Sequence, residues 1–194
     1  MEISTDMVKA LRDETGVSIM QCKKALEEAG GDTERAKIIL RKQSSTIAGK
    51  KADRTLGAGV ASAYTHAGGS VVGSVVLMCE TDFVSKNEEF SKLAYDIAMH
   101  VAAMRPQFIS RHDVKESDLK AAREVFAAEA AKVPEASRAR AIEGKVGSYL
   151  GERVLLEQPY VKDASITIQQ LIDSAVQKFG EKIEVARFER LSVK

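Results

Sequence analysis

The chain from residue 71 to residue 90 reads Val71-Val72-Gly73-Ser74-Val75-Val76-Leu77-Met78-Cys79-Glu80-Thr81-Asp82-Phe83-Val84-Ser85-Lys86-Asn87-Glu88-Glu89-Phe90. Its first part is β-branched and apolar almost throughout, which predicts a strand over 71–79. A near-continuous apolar run of this kind is buried on both faces of a sheet or central in it. Its last part opens a helix over 87–104, because Phe90, Leu93, Ala94, Ile97, Ala98, Val101 and Ala102 fall on one stripe at helical spacing. Pro106 lies just beyond that helix. Between strand and helix, Asp82 and Phe83 stand side by side at a corner. A Phe in such a corner is either core or presented to a partner, and the two readings lead to different functions.

Working outward, residues 57–66 predict a second strand, joined to 71–79 by Ala67-Gly68-Gly69-Ser70 as a glycine-containing hairpin connection. The closing run Lys182-Ile183-Glu184-Val185-Ala186-Arg187-Phe188-Glu189-Arg190-Leu191 alternates apolar and charged residues, the mark of a half-buried strand. Residues 116–132 are charged and Ala-rich, with Leu119, Val125 and Phe126 as scattered apolar points, and read as an exposed helix. Pro134 suits the first turn of another helix, to about Leu150. A further helix covers 167–179 and ends at Gly180. The fold class expected is α+β, a three-stranded antiparallel sheet packed with helices, not a parallel α/β wind.

Residues 1–43 predict a three-helix domain. Ser4 or Thr5 caps a first helix with Met7, Val8 and Leu11 on its apolar face, and Gly16 ends it. Ser18 starts a second, with Ile19, Cys22, Ala25 and Leu26 facing inward; Gly30-Gly31 stops it. Asp32 or Thr33 caps a third, carrying Ala36, Ile39 and Leu40. Residues 44–56 lack a clean period and read as a linker with some helical character, before a core domain over 57–194. The linker region is basic through Arg41, Lys42, Lys50, Lys51 and Arg54. Without interleaved aromatic residues for stacking, a solvated face is favoured there over a nucleic-acid contact.

Composition narrows the function classes. Of 194 residues, 44% are apolar, enough for a core, while 29% are charged and nearly balance at net +1. That balance argues against a dedicated nucleic-acid or membrane binder. No charged-then-apolar leader and no run of about 18 apolar residues is present, so the chain reads as soluble and cytoplasmic. Cys22 and Cys79 lie in different segments without CxxC spacing and read as buried free thiols in a reducing compartment.

Catalytic patterns are missing. Gly57-Ala58-Gly59 precedes a strand instead of following one, so it is no dinucleotide fingerprint, and no GxxxxGK[ST] occurs. His66, His100 and His112 lack metal-ligand spacing with each other or with the cysteines. His100, on the amphipathic helix, reads as structural. A thiol nucleophile is disfavoured by the apolar settings of both cysteines. The chain therefore reads as a binding protein: not an enzyme, with no metal and no cofactor of its own.

Four segments carry a resemblance: Leu11-Arg12-Asp13-Glu14-Thr15-Gly16 followed by Met20-Gln21-Cys22-Lys23-Lys24-Ala25-Leu26; Cys79-Glu80-Thr81-Asp82-Phe83-Val84; Leu156-Glu157-Gln158-Pro159-Tyr160-Val161-Lys162-Asp163; and Gly180-Glu181-Lys182-Ile183 with Arg187-Phe188. In this order, nearly end to end, they resemble the translation elongation factor Ts family in its short, single-core bacterial form. The resemblance implies a ubiquitin-associated-like domain at the N-terminus and a dimerisation core. It implies guanine-nucleotide exchange on elongation factor Tu, bound in both its GDP-loaded and nucleotide-free states. Asp82 and Phe83, flanked by Thr81 and Val84 in the same signature, would act beside the partner's Mg²⁺ and phosphate site. Arg12, Met20 and Lys23 would meet the partner's nucleotide-binding domain, and His66, within Tyr64-Thr65-His66, would add a further contact. Short members self-associate, which implies a homodimer through the core sheet, with no direct nucleic-acid or membrane contact.

Each residue keeps a blander reading. Phe83 or Met20 could be core, Asp82 could cap the following helix, and Arg12, Lys23 and His66 could be ordinary exposed polar groups. Two other function classes stand beside exchange: a three-helix interaction module fused to an unrelated helical scaffold, and a thiol enzyme using Cys22 or Cys79.

Overall fold

The computed structural model describes residues 3–193. The chain divides into two compact units, one of Met1–Ser62, Val75–Asp96 and Gln169–Ala186, the other of Ala63–Ser74, Ile97–Ile168 and Arg187–Lys194.

The first unit contains three N-terminal helices, α1 (Thr5–Thr15), α2 (Ile19–Glu28) and α3 (Thr33–Gly49). Each starts where a short polar side chain takes up an orphan backbone N–H. Ser4 Oγ accepts from Met7 N at 3.2 Å, Ser18 Oγ from Gln21 N at 3.4 Å, and Asp32 Oδ1 from Arg35 N at 3.0 Å. Gly16, at φ 68°, ends α1 by donating its N–H to Arg12 O, a conformation that costs a residue with a Cβ more. Val8, Leu11, Val17, Cys22, Ala25, Leu26, Ala29, Ala36 and Leu40 form one buried cluster. Ile19, expected inward, is exposed. It is the first residue of α2, and Val17, on the other side of the Ser18 cap, takes the core position against Cys22, as residues flanking a helix start commonly do. α3 runs on to Gly49, so residues 44–49 of the stretch read as a linker are helical. Ser44 and Ser45 there bond to Gln177 and Asp173 of α8 (Ile168–Phe179), the latter pair at 2.6 Å.

Strands β1 (Ala58–His66), β2 (Val71–Cys79) and β5 (Ile183–Ser192) form one sheet in the order β1-β2-β5. Both pairings are antiparallel: Gly57 N bonds Cys79 O, and Val193 N bonds Ser70 O. The connection after β1 is a 3-10 turn over Ala67–Gly69 with positive φ at Ala67, Gly68 and Gly69. β2 is central, as its apolar run implies, but its burial is one-sided. Gly73, Val75, Leu77 and Cys79 are buried, whereas Val72, Ser74, Val76 and Met78 are half-buried, because period-2 alternation gives the helices only one face to cover. In β5 the alternation breaks: Ile183 and Val185 are buried, Ala186 and Arg187 are both exposed, and Phe188 and Arg190 are the half-buried residues thereafter. Arg190 accordingly turns inward and donates from Nε to Ala102 O at 3.0 Å.

In the second unit, α6 (Glu116–Ala130) and α7 (Glu135–Gly151) pack as a pair through Leu119, Val146 and Leu150, with Phe126 edge-on to Tyr149. Val125 is exposed. A small two-stranded sheet, β3 (Pro159–Tyr160) with β4 (Asp163–Thr167), follows. These strands are too short for any period to announce them. The helix α5 (Glu88–Met104) carries His100, fully buried in this unit. Its Nδ1 accepts from Val161 N at 3.2 Å, so its proton sits on Nε2 and is donated to Gln158 Oε1 at 2.9 Å. Gln158 in turn donates to Met104 O and Glu152 O, and burial holds the imidazole neutral by lowering its pKa. His100 is thus structural, as its place on the helix indicated.

Candidate functional site

The corner after β2 is built by backbone ties from both sides. β2 ends at Cys79, and a single-turn helix, α4 (Asp82–Ser85), begins two residues later. Thr81 occupies the N-cap position in extended geometry, but its hydroxyl makes no cap bond. It donates instead to Glu181 Oε1 at 2.5 Å, while Glu181 Oε2 accepts from Glu80 N at 3.1 Å and Thr81 N at 3.0 Å. The exchange is reciprocal: Glu80 Oε1 accepts from Lys182 N at 2.6 Å and from Arg54 at 3.2 Å. Those bonds, the backbone one foremost, hold the Glu80 carboxyl below the usual carboxylate range. Beneath, Cys79 Sγ donates to Thr81 O at 3.2 Å.

On this base the four residues of α4 point in different directions. Val84 is 3% exposed and anchors the turn; Phe83 is 81% exposed. A helical step of about 100° between neighbours places one inward and the next outward. The core reading of Phe83 is therefore excluded. Asp82 does not cap the helix either: it is the first helical residue, and its Oδ2 accepts from Lys86 Nζ at 2.6 Å, which lowers its pKa. Both side chains of that pair are more than two-thirds exposed, so water screens it and it adds little stability.

In the same unit, Met20 is 74% exposed on α2 beside Ile19, which removes its core reading too. Lys23, one turn on, pairs loosely with Glu27 at 3.9 Å, and Arg12 on α1 approaches Asp13 at 3.5 Å; all are well exposed. His66 lies in the other unit, exposed at the end of β1, with Nδ1 3.0 Å from Tyr64 Oη. Two of the basic residues near the linker serve the chain itself: Arg54 meets Glu80, and Lys51 Nζ donates to Gly180 O at 2.6 Å.

Sequence reading missed Glu181 and Arg54 as parts of the corner. Glu181 follows Gly180, whose φ of 74° ends α8, but nothing in spacing predicts that an acid about a hundred residues downstream reaches Thr81.

A thiol nucleophile finds little footing here. Cys22 and Cys79 are free and fully buried, and burial pushes both thiols up, away from the reactive thiolate. Among the described residues, no group of three or more His, Cys, Asp or Glu side chains is arranged to hold a metal ion. No helix there is long and apolar enough to cross a membrane. What the corner can do is press a supported aromatic ring, with a carboxylate beside it, into another surface.

Comparison with known proteins agrees with the four segments. The family model for elongation factor TS matches residues 42–194. The chain belongs to the elongation factor Ts family. It is 44% identical to an elongation factor Ts of Desulforamulus reducens, over 97% of this chain and 88% of that protein. It is 42% identical to an elongation factor Ts of Thermotoga petrophila, over 100% of this chain and 97% of that one, and 43% identical to that of Koribacter versatilis, over 100% and 89%. These relatives extend the elongation factor Ts match across α1, α2 and the start of α3, which precede the part matched by the family model.

Proposed function

We propose that this chain is a guanine-nucleotide exchange factor for elongation factor Tu and that the Asp82–Phe83 corner is its working element. A bound nucleotide is held by its Mg²⁺ and by backbone amides around the phosphates. An exchange factor accelerates release by binding the nucleotide-free partner more tightly than the loaded one. An exposed ring on a stiff support suits that task, since it displaces partner elements near the Mg²⁺ site only if it does not itself give way. The observation that carries the reading is Phe83, 81% exposed on a corner whose backbone is tied by Glu181 and anchored by Val84. Thr81 and Val84 form the base, while Asp82 adds a carboxylate next to the ring.

Arg12, Met20 and Lys23 supply the first contact with the partner's nucleotide-binding domain, and His66 a further one. The protein works in the cytoplasm, without covalent catalysis and without a cofactor of its own. A homodimer through the core sheet supplies the second core; the half-buried Val76 and Met78 on β2 offer apolar surface for it.

The test is release of a fluorescent GDP analogue from elongation factor Tu of the same organism, with this protein present in substoichiometric amounts. Many-fold acceleration per molecule is expected. An unchanged rate with folded protein and active partner would leave only a binding module.

A further inference from the structure

Glu181 is half-buried, and three hydrogen bonds converge on its carboxylate from Glu80 and Thr81. We propose that Glu181 is a positioning residue that sets the aim of Phe83 through Thr81 during exchange; this rests on the exchange-factor reading above.

The argument begins with α4, a single turn of four residues. A lone turn has no cooperative stability, so it cannot hold its own axis against a load. Its backbone ties are few: Ser85 N to Thr81 O at 3.3 Å, Lys86 N to Asp82 O at 3.1 Å and Asn87 N to Val84 O at 3.0 Å; Ser85 Oγ to Asp82 O and the screened Lys86–Asp82 pair add little. Its orientation therefore comes from the buried Val84 below it and from the residue that enters it. Thr81 is held at every polar atom: its N–H and hydroxyl go to Glu181, and its carbonyl accepts from Cys79 Sγ and Ser85 N. Hydrogen bonds to an ionised carboxylate are shorter and stronger than neutral ones. Only Asp82 separates this tether from Phe83, whose own ring is open to solvent.

Glu181 is in turn fixed. The neighbouring Gly180 and Lys182 are both held, Gly180 O by Lys51 Nζ and Lys182 N by Glu80, whose carboxylate also takes Arg54. The crossing of Glu80 and Glu181 thus clamps the end of β2 to the start of β5.

The experiment is a cycle of Glu181→Ala, Phe83→Ala and the double variant, reading kcat and KM of GDP-analogue release separately, with thermal unfolding as a folding control. Glu181→Ala is expected to lower kcat by about 10- to 100-fold, the scale of a reacting group misplaced by an ångström, with a much smaller change in KM. In the Phe83→Ala background the same substitution is expected to add little, since a support without its ring has nothing to aim. Glu181→Gln is expected to recover most of the rate: its amide oxygen can take both N–H groups, and its Nε2 can donate to Thr81 Oγ1. Should Glu181→Ala fail to fold, Glu181→Asp, too short to reach both residues, takes its place in the cycle. A slow Phe83→Ala beside a full-rate Glu181→Ala overturns the positioning role alone. An undiminished Glu181 effect in the double variant does so too. A full-rate Phe83→Ala overturns the corner as the working element and this inference with it, while leaving exchange itself standing; no acceleration by the parent chain overturns the exchange reading.

Discussion

At the scale of single residues, exposure separates neighbours that composition treats alike. Val84 and Phe83 are both apolar and adjacent, yet one anchors and the other is presented. Phe83→Ala should therefore slow exchange greatly while changing the unfolding free energy by less than about 0.5 kcal/mol, as surface substitutions usually do. A loss of several kcal/mol in a denaturant titration would instead mean that the ring packs in a core. Cys22 makes the opposite case. It is buried among Val17, Ala25 and Leu26, so Cys22→Ala should leave exchange intact and cost about 1 kcal/mol for the lost heavy atom; abolished activity would revive the thiol-enzyme reading. His100 is held neutral, its pKa lowered by burial from the ordinary 6.5. The unfolded chain then binds the extra proton more readily than the folded one. The stability contributed by neutral His100 is fully present above about pH 6.5 and is lost as pH falls through the folded value. Denaturation midpoints at pH 7.5 and 5.0 should diverge more for the parent chain than for His100→Gln; equal divergence would show that other groups govern the slope.

At the scale of elements, glycine and small polar residues decide what is permitted. α5 crosses β2 at Gly73, where an added Cβ would collide with Ala98 O and stand 2.7 Å from Ala102 N. Both obstacles are backbone, so neither can swing aside. Gly73→Ala should cost about 1–3 kcal/mol by overpacking, measurable as a lower unfolding midpoint. Asp32→Ala, which removes the α3 cap, should cost about 1 kcal/mol by the same measurement. Caps, glycine stops and the stripe of α5 were legible because each is a local rule: a short polar side chain meets an amide three residues on, or a period of 3.6 builds one face. The facing of Ile19 and the strict alternation along β5 failed for the complementary reason, although β5 itself was read correctly as a strand. Which side of a helix start or a strand is covered depends on what arrives there from elsewhere, and Val17 and Arg190 took those places.

At the scale of the whole molecule, self-association would complete the single sheet-bearing core. A mass measurement in solution, such as light scattering behind size exclusion, should give twice the chain mass at micromolar concentration. A single-chain mass across that range would remove the homodimer.

The sequence by itself determined the longer helices and three main strands, the α+β class, the family, and the presence of an Asp-Phe pair at a strand-to-helix corner. These follow from short-range periodicity, local capping and motif order. Tertiary structure alone decided that Phe83 faces out while Val84 faces in, that Met20 is exposed, and that Glu181 meets Thr81. Those outcomes depend on contacts between segments about a hundred residues apart and on which face of each element finds a neighbour, and no local rule encodes either.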